Sequence, residues 1–377
     1  MAAMEQLHAQ VRLQALHLMA DRCRGDEQLR GRGLETQASR RGFEGAQGVE
    51  RDRGKDFTIA SSLRVPEPAS YQVSFPNAVR KTSRLSAPPA LEMMGPQKRR
   101  TRIMKFEELA GDVLMFVGDD HESVATAILD GEHALLIDSL GSQDDARWLR
   151  RVLCEDLRKT VRVIVATHFM SDHMAGLSLF PDALTIAHRH HRHTFLSQNR
   201  RVDAFYREPR AVFDSAMSLR WGRHELSLIH NPGKTMDHIS VDVPGADLVC
   251  VGDNIVGNIV YLSKADPALI RAAIGRIRQF GRGTVVGGHM GKFSADVLDN
   301  AVRYLDRLQH RVTQLRLDFA ADEADARIAS IPIEACLAPP VEACAFEREW
   351  HRRNLDVVIA QSVFAFDAAL AARAVQA

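Results

Sequence analysis

The side chains best placed to do chemistry lie in the stretch Thr167-His168-Phe169-Met170-Ser171-Asp172-His173-Met174-Ala175-Gly176, directly after an apolar β-type run, Val161–Ala166. A strand ending in His, Asp and His delivers several donor atoms from one short loop. Such atoms can converge on one ion, which scattered histidines cannot do. A second histidine-rich tract, His188, His190, His191 and His193, is interleaved with Arg189 and Arg192 and reads as a solvated basic helix. A thioether at Met170 suits a soft ion such as Cu(I), but methionine in a loop is more often packing.

The loop resembles the metal-binding loop of the metallo-β-lactamase superfamily, His-x-His-x-Asp-His, with Met170 where the second histidine stands. Three later stretches resemble the family's other motifs, in family order. His230-Asn231-Pro232-Gly233-Lys234-Thr235-Met236-Asp237-His238 is similar to its Pro-Gly-His loop, with Lys234 at the histidine. Cys250-Val251-Gly252-Asp253 is similar to the Gly-Asp that bridges two metals, and Gly287-Gly288-His289-Met290-Gly291 to the last ligand loop. Four motifs in order, spanning roughly Met104 to Val312, make a strong signal where one would be weak.

Carried over residue by residue, the resemblance implies a whole second metal site: Asp172, His173, Asp253 and His289. The first site keeps only His168 and the shared Asp253. A charged lysine is a donor and cannot ligate, so Lys234 is expected to supply part of the positive charge that balances Asp253. One ion is therefore expected, Zn²⁺ by preference, with Fe²⁺ or Mn²⁺ also suited to two imidazoles and two carboxylates. The implied activity is hydrolysis of a small ester, thioester or lactone by a metal-activated water. His168 is the general base expected from the freed position, Lys234 a holder of a substrate carboxylate or an oxyanion, and Asp172 a catalytic ligand. The alternative is a non-catalytic or weakly catalytic member with a structural metal. His238 and Asp138 are read as structural, and Cys250 as a buried strand residue.

The elements that must position these groups are legible as alternating runs. Val113–Val117, Ser123–Leu129 and His133–Ile137 read as consecutive strands, with a hairpin turn at Gly131-Glu132. Ser142 caps a helix expected to run to about Arg158. Further strands are expected at Leu184–Ala187, Met217–Leu219, Leu226–Ile229, Ile239–Val243, Leu248–Val251 and Thr284–Val286. Asp266 and Pro267 open a helix that Gly281 follows. Ser294 to about Leu317 and Asp356 to about Arg373 read as amphipathic helices. Layered α and β elements follow from this pattern. The resemblance implies an α/β fold, a metallo-β-lactamase-like αββα sandwich of two mixed sheets flanked by helices.

The chain has 377 residues, 45% of them hydrophobic, and a net charge of +1. The charge is uneven. Residues 1–103 carry 18 basic and 11 acidic side chains, and the rest is net acidic. Residues 1–103 read as a basic, disordered extension, in which Leu7, Val11, Leu16 and Met19 allow one helix. Residues 104–320 read as the catalytic domain and 321–377 as a helical tail packed on it. Met104 is a candidate start of the chain. The acidic body argues against nucleic acid as a partner and leaves a small molecule as the expected one. Five cysteines without CxxC spacing fit a reducing compartment, the cytoplasm. No secretory signal and no membrane-length apolar run is read. The apolar tail, with Val357, Val363 and Phe364, is expected to pack on the body or form a homodimer.

Overall fold

Strand alternation settles which side of each sheet faces the other. The computed structural model describes residues 104–263 and 265–365. The extension up to residue 103 and the end of the C-terminal tail lie outside them, together with the helix expected around Leu7–Met19. The first sheet holds β1 (Lys105–Ala110), β2 (Val113–Val117), β3 (Val124–Asp130), β4 (His133–Ile137), β5 (Thr160–Val165), β6 (Leu184–His188) and β7 (Ala211–Phe213), in that spatial order. It is antiparallel as far as β4 and parallel from β4 to β7. The second sheet holds β8 (Ala216–Trp221), β9 (His224–His230), β10 (Ile239–Val243), β11 (Leu248–Gly252), β12 (Thr284–Gly287) and β13 (Lys292–Ser294). Only its β11–β12 pair is parallel.

The sheets bury one face against each other. Met115, Ile128, Leu135 and Val165 of the first join Leu228, Val241, Val243 and Cys250 of the second in one apolar cluster. The outer face of the first sheet, including Leu136 and Ile164, is covered by α1 (Gln143–Arg150) through Leu149 and by α2 (His191–Ser197) through Phe195. The outer face of the second, with Val249, Val251 and Val285, is covered by α3 (Pro267–Gln279), α4 (Asp296–Asp318), α5 (Ala321–Ala329) and α6 (Ala345–Ala360). This is an αββα sandwich of two mixed sheets. None of its described helices is long and apolar enough to cross a membrane.

Helix ends follow local chemistry. Ser142 accepts from the Asp145 N–H, and Asp266 accepts from the Ala268 N–H at 2.7 Å, with Pro267 at the first position. Three expectations need correction. The helix expected from Ser142 to Arg158 changes character after Arg150. Residues Arg151–Asp156 form a π-helical turn whose wider pitch shifts the apolar stripe and buries both Val152 and Leu153. The helix expected from Asp356 starts at Ala345, where Cys344 and Glu347 form a capping box. Cysteine is not a customary cap, so the sequence does not announce it. β1, β7 and β13 were not anticipated. β1 is a charged, largely exposed edge strand and the other two have three residues each, so none shows the apolar alternation of a core strand.

Candidate metal centre

The chemically capable side chains all stand just past the C-terminal ends of strands. β5 leads into Thr167 and His168, and a single 3₁₀ turn, Ser171–His173, presents Asp172 and His173. Asp253 follows β11 and His289 follows β12. Both loops are built for close approach. Gly252 has φ +48°, and a Cβ there would lie 2.7 Å from His238 Nε2 and from Thr167 Oγ1. A Cβ at Gly288 would collide with Asp253 Oδ1 and His173 Cε1, so only glycine lets that backbone pass.

Asp253 is the hub. Its Oδ1 lies 3.2 Å from His173 Nε2 and 3.2 Å from His289 Nε2, and its Oδ2 lies 3.5 Å from His168 Nε2. Asp172 Oδ2 lies 3.6 Å from His289 Nε2 and 3.9 Å from His173 Nε2. One donor atom from each of Asp172, His173, Asp253 and His289 falls within 4.8 Å of all the others. Four ligands placed tetrahedrally about 2.1 Å from a cation are about 3.4 Å apart, so most of these separations already match.

The tautomers point the same way. Thr167 Oγ1 gives its one proton to Asp138 Oδ2 at 2.7 Å, so its 3.0 Å contact with His168 Nδ1 must be donated by the imidazole. His168 Nε2 then carries the lone pair. His289 Nδ1 donates to the His121 carbonyl at 2.7 Å, which likewise leaves Nε2 as the lone-pair atom. His173 Nδ1 lies 3.3 Å from Asp138 Oδ2. A carboxylate behind a ligating imidazole fixes its orientation and raises its basicity. His168 Nε2, both ring nitrogens of His173 and Asp253 Oδ1 are buried and without a hydrogen bond inside the protein. Lone pairs aimed at a buried carboxylate are costly unless positive charge lies between them. The donor set and these orphaned atoms fit a divalent cation held by Asp172, His173, Asp253 and His289.

The electrostatics describe one strongly coupled group. Burial opposes ionisation of Asp253, but His289, His173 and His168 outweigh it and hold the carboxyl well below the usual range. Burial disfavours a charged His173, yet Asp253 and Asp172 hold its pKa well above that of an ordinary imidazole. Asp172 is lowered as well, with His173 overcoming burial. His238 goes the other way. Burial first and His168 second keep it neutral, and its Nε2 accepts the Asp253 N–H at 3.0 Å. That is a structural role, as its position in the sequence suggested.

Lys234 goes elsewhere. It is 2% exposed, its Nζ donates to the Ser263 carbonyl at 2.8 Å, and it lies 3.9 Å above the Tyr261 ring. The imidazoles of His168, His173 and His289 stand 3.2 to 3.5 Å from the Asp253 carboxylate. Met170 is half-buried in the loop between His168 and Asp172. The histidine tract also differs from a solvated helix. His188 ends β6, is buried, and stacks on His230 with ring centroids 3.8 Å apart. His191 is buried at the start of α2, while His190 and His193 remain exposed. Burial and the neighbouring His230 push the His188 pKa down to about 4.

Two positioning residues escape a reading by motif. Asp237 is a buried carboxylate that accepts from the Phe169 N–H at 2.8 Å, the Thr194 hydroxyl at 2.6 Å and the Thr235 hydroxyl at 2.7 Å, which ties together the metal loop, α2 and the Pro-Gly loop. Burial raises its pKa. Asn254 accepts from the Lys234 N–H and donates to the Asn231 carbonyl. An Asp and an Asn each adjoining a motif residue were the available signals.

With this geometry in view, the comparisons are direct. A family model described as the Metallo-beta-lactamase superfamily matches residues 118–289. Among solved structures, the chain is similar to a metallo-beta-lactamase from Pontibacter korlensis, at 18% identity and TM-score 0.47, over 54% of this chain and 99% of that one. It is also similar to a metallo-beta-lactamase from Erythrobacter litoralis with beta mercaptoethanol in the active site, at 18% identity and TM-score 0.45, over 55% of this chain and 98% of that one. No curated protein matches.

Proposed function

Because this chain belongs, through residues 118–289, to the metallo-β-lactamase superfamily, we propose that it is a metal-dependent hydrolase of a small ester, thioester or lactone-type compound, working through a single divalent ion. The convergence of Asp172, His173, Asp253 and His289, with their lone pairs turned inward, carries this reading. A cation bound there, Zn²⁺ by preference, supplies Lewis acidity and lowers the pKa of a coordinated water toward neutrality.

The protein's own groups do the rest. His168 Nε2 lies across the Asp253 carboxylate from His173 and His289, and it is the atom that takes up a proton as the acyl bond is attacked. Thr167 and Asp138 hold its ring in the accepting tautomer. Asp172, whose side chain is 24% exposed, is the most exposed of the four candidate ligands. Lys234 is assigned a supporting role. Its ammonium, which donates to the Ser263 carbonyl, lies over the Tyr261 ring and lends that part of the site positive charge. Four cysteines with free thiols, Cys154, Cys250, Cys336 and Cys344, support a reducing compartment.

The test pairs metal analysis with activity. Elemental analysis of the purified protein is expected to find one ion per chain, and two tightly held ions would refute the single-ion site. Asp172→Ala is expected to abolish hydrolysis across a panel of chromogenic esters, thioesters and lactones with little change in melting temperature. A second reading, a structural metal without catalysis, is favoured by the commitment of Lys234 to Ser263 and Tyr261. Under that reading the variant loses stability and the parent hydrolyses nothing in the panel.

A further inference from the structure

The metal-binding group is flanked by a helix from outside the matched residues. α6 places the rings of Phe346 and Trp350 5.8 and 6.0 Å from that of His289. The two rings lie 5.6 Å from each other. Trp350 is packed in, with Tyr261 at 4.4 Å and the Arg353 guanidinium 4.6 Å above its ring. Phe346 is only partly covered. Phe346 is thus a partly exposed phenyl ring, with an indole on one side and a candidate metal-ligating imidazole on another.

α6 is fastened to the loop that follows Asp253. Glu347, 1% exposed, accepts from the Asn258 N–H at 2.7 Å and the Asn258 side-chain amide at 3.0 Å. Its other oxygen accepts from the Cys344 N–H at 2.9 Å. Asn354 accepts from the Leu262 N–H at 2.8 Å and donates to the Val260 carbonyl at 2.7 Å. Such satisfied buried polar groups hold one arrangement, because any shift of the helix leaves them unpaired. The ring of Phe346 is thus presented at a fixed distance from His289.

We propose that Phe346 is the specificity-determining residue of this site and selects substrates with an aromatic group next to the scissile bond, with Glu347 and Asn354 as positioning residues. The inference rests on the hydrolase reading. Its test is equilibrium binding, by titration calorimetry, of benzohydroxamate and acetohydroxamate to the full-length, Zn²⁺-loaded protein. The two probes share a metal-binding head and differ in the tail. Benzohydroxamate is expected to bind roughly two- to tenfold more tightly, the range for one aromatic pair. Phe346→Ala should bring the ratio close to one with metal content unchanged, and Phe346→Leu should keep part of it. If Phe346→Ala does not fold, the Leu variant alone decides, since a ratio equal to that of the parent overturns the proposal. Equal affinities in the parent, no binding of either probe, or a ratio unaltered by Phe346→Ala would each overturn it. A phenyl preference in a protein that hydrolyses nothing would instead defeat the hydrolase reading and leave the recognition surface standing.

Discussion

Asp253 separates two regions of the centre that meet the same electrostatic demand by different means. On its Oδ1 side, the Nε2 atoms of His173 and His289 each lie 3.2 Å away, and Asp172 adds a second carboxylate. The atoms that meet there include buried ones that the protein leaves without a hydrogen bond. On its Oδ2 side stands His168, and the cation supplied by the Pro-Gly loop is turned away to a carbonyl and an aromatic face. The first region gathers four candidate ligands around one point, and the second keeps a single imidazole, His168, whose Nε2 is likewise without a hydrogen bond inside the protein. Buried polar atoms left without a partner in the chain are satisfied from outside it, and the number of candidate ligands on each side of Asp253 sets which side can hold an ion.

The contrast can be broken most decisively at the shared carboxylate. Asp253→Ala should weaken metal binding by more than ~100-fold, beyond the loss typical of an outer-layer change, and abolish hydrolysis. Equilibrium dialysis against a competing chelator measures the first, and retention of a tightly held ion would remove the basis for the comparison. Asp138→Asn probes the layer behind the ligands and should lower metal affinity about 10- to 100-fold without unfolding the protein. In the second region, Lys234→Met should leave metal stoichiometry intact and lower stability by about 1–3 kcal/mol, since the part-buried Ser263 carbonyl loses its donor. Loss of the ion in this variant would show that the two regions are not separate.

The smallest effect is expected at the His188–His230 stack, remote from the metal ligands in sequence. An ordinary histidine titrates near 6.5, whereas folded His188 does so at about 4. Folding therefore favours the neutral ring. The associated stability is fully present above about pH 6.5 and is lost progressively as the pH falls toward 4. His188→Gln should flatten this part of the melting-temperature profile. An unchanged slope between pH 6.5 and 4 would assign the acid sensitivity to other groups.

Much of the fold was legible because its core strands are apolar runs bounded by turn residues, as at Val113–Val117 and Leu248–Gly252. β1 was not, since an edge strand with charged outer positions lacks that pattern. Candidate ligands stood out by residue type at strand ends. The course of a lysine side chain did not, because a flexible four-carbon stem takes its direction from tertiary neighbours, here Tyr261 and Ser263. The roles of Asp237, Glu347 and Asn354 did not follow from their motifs for a related reason. Each is an ordinary polar residue that gains its role from partners on another segment, as far away in sequence as Phe169 from Asp237 or Val260 from Asn354.

The family-model match stops at His289, but the protein's architecture does not. α4, α5 and α6 share one apolar cluster with Val249, Val251 and Val285 of the second sheet. A version shortened to end at His289 would strip α4, α5 and α6 from that sheet and take away Phe346 and Trp350 beside its last histidine. Such a fragment should aggregate rather than behave as a minimal enzyme. The border drawn by kinship runs through the middle of a cooperative unit.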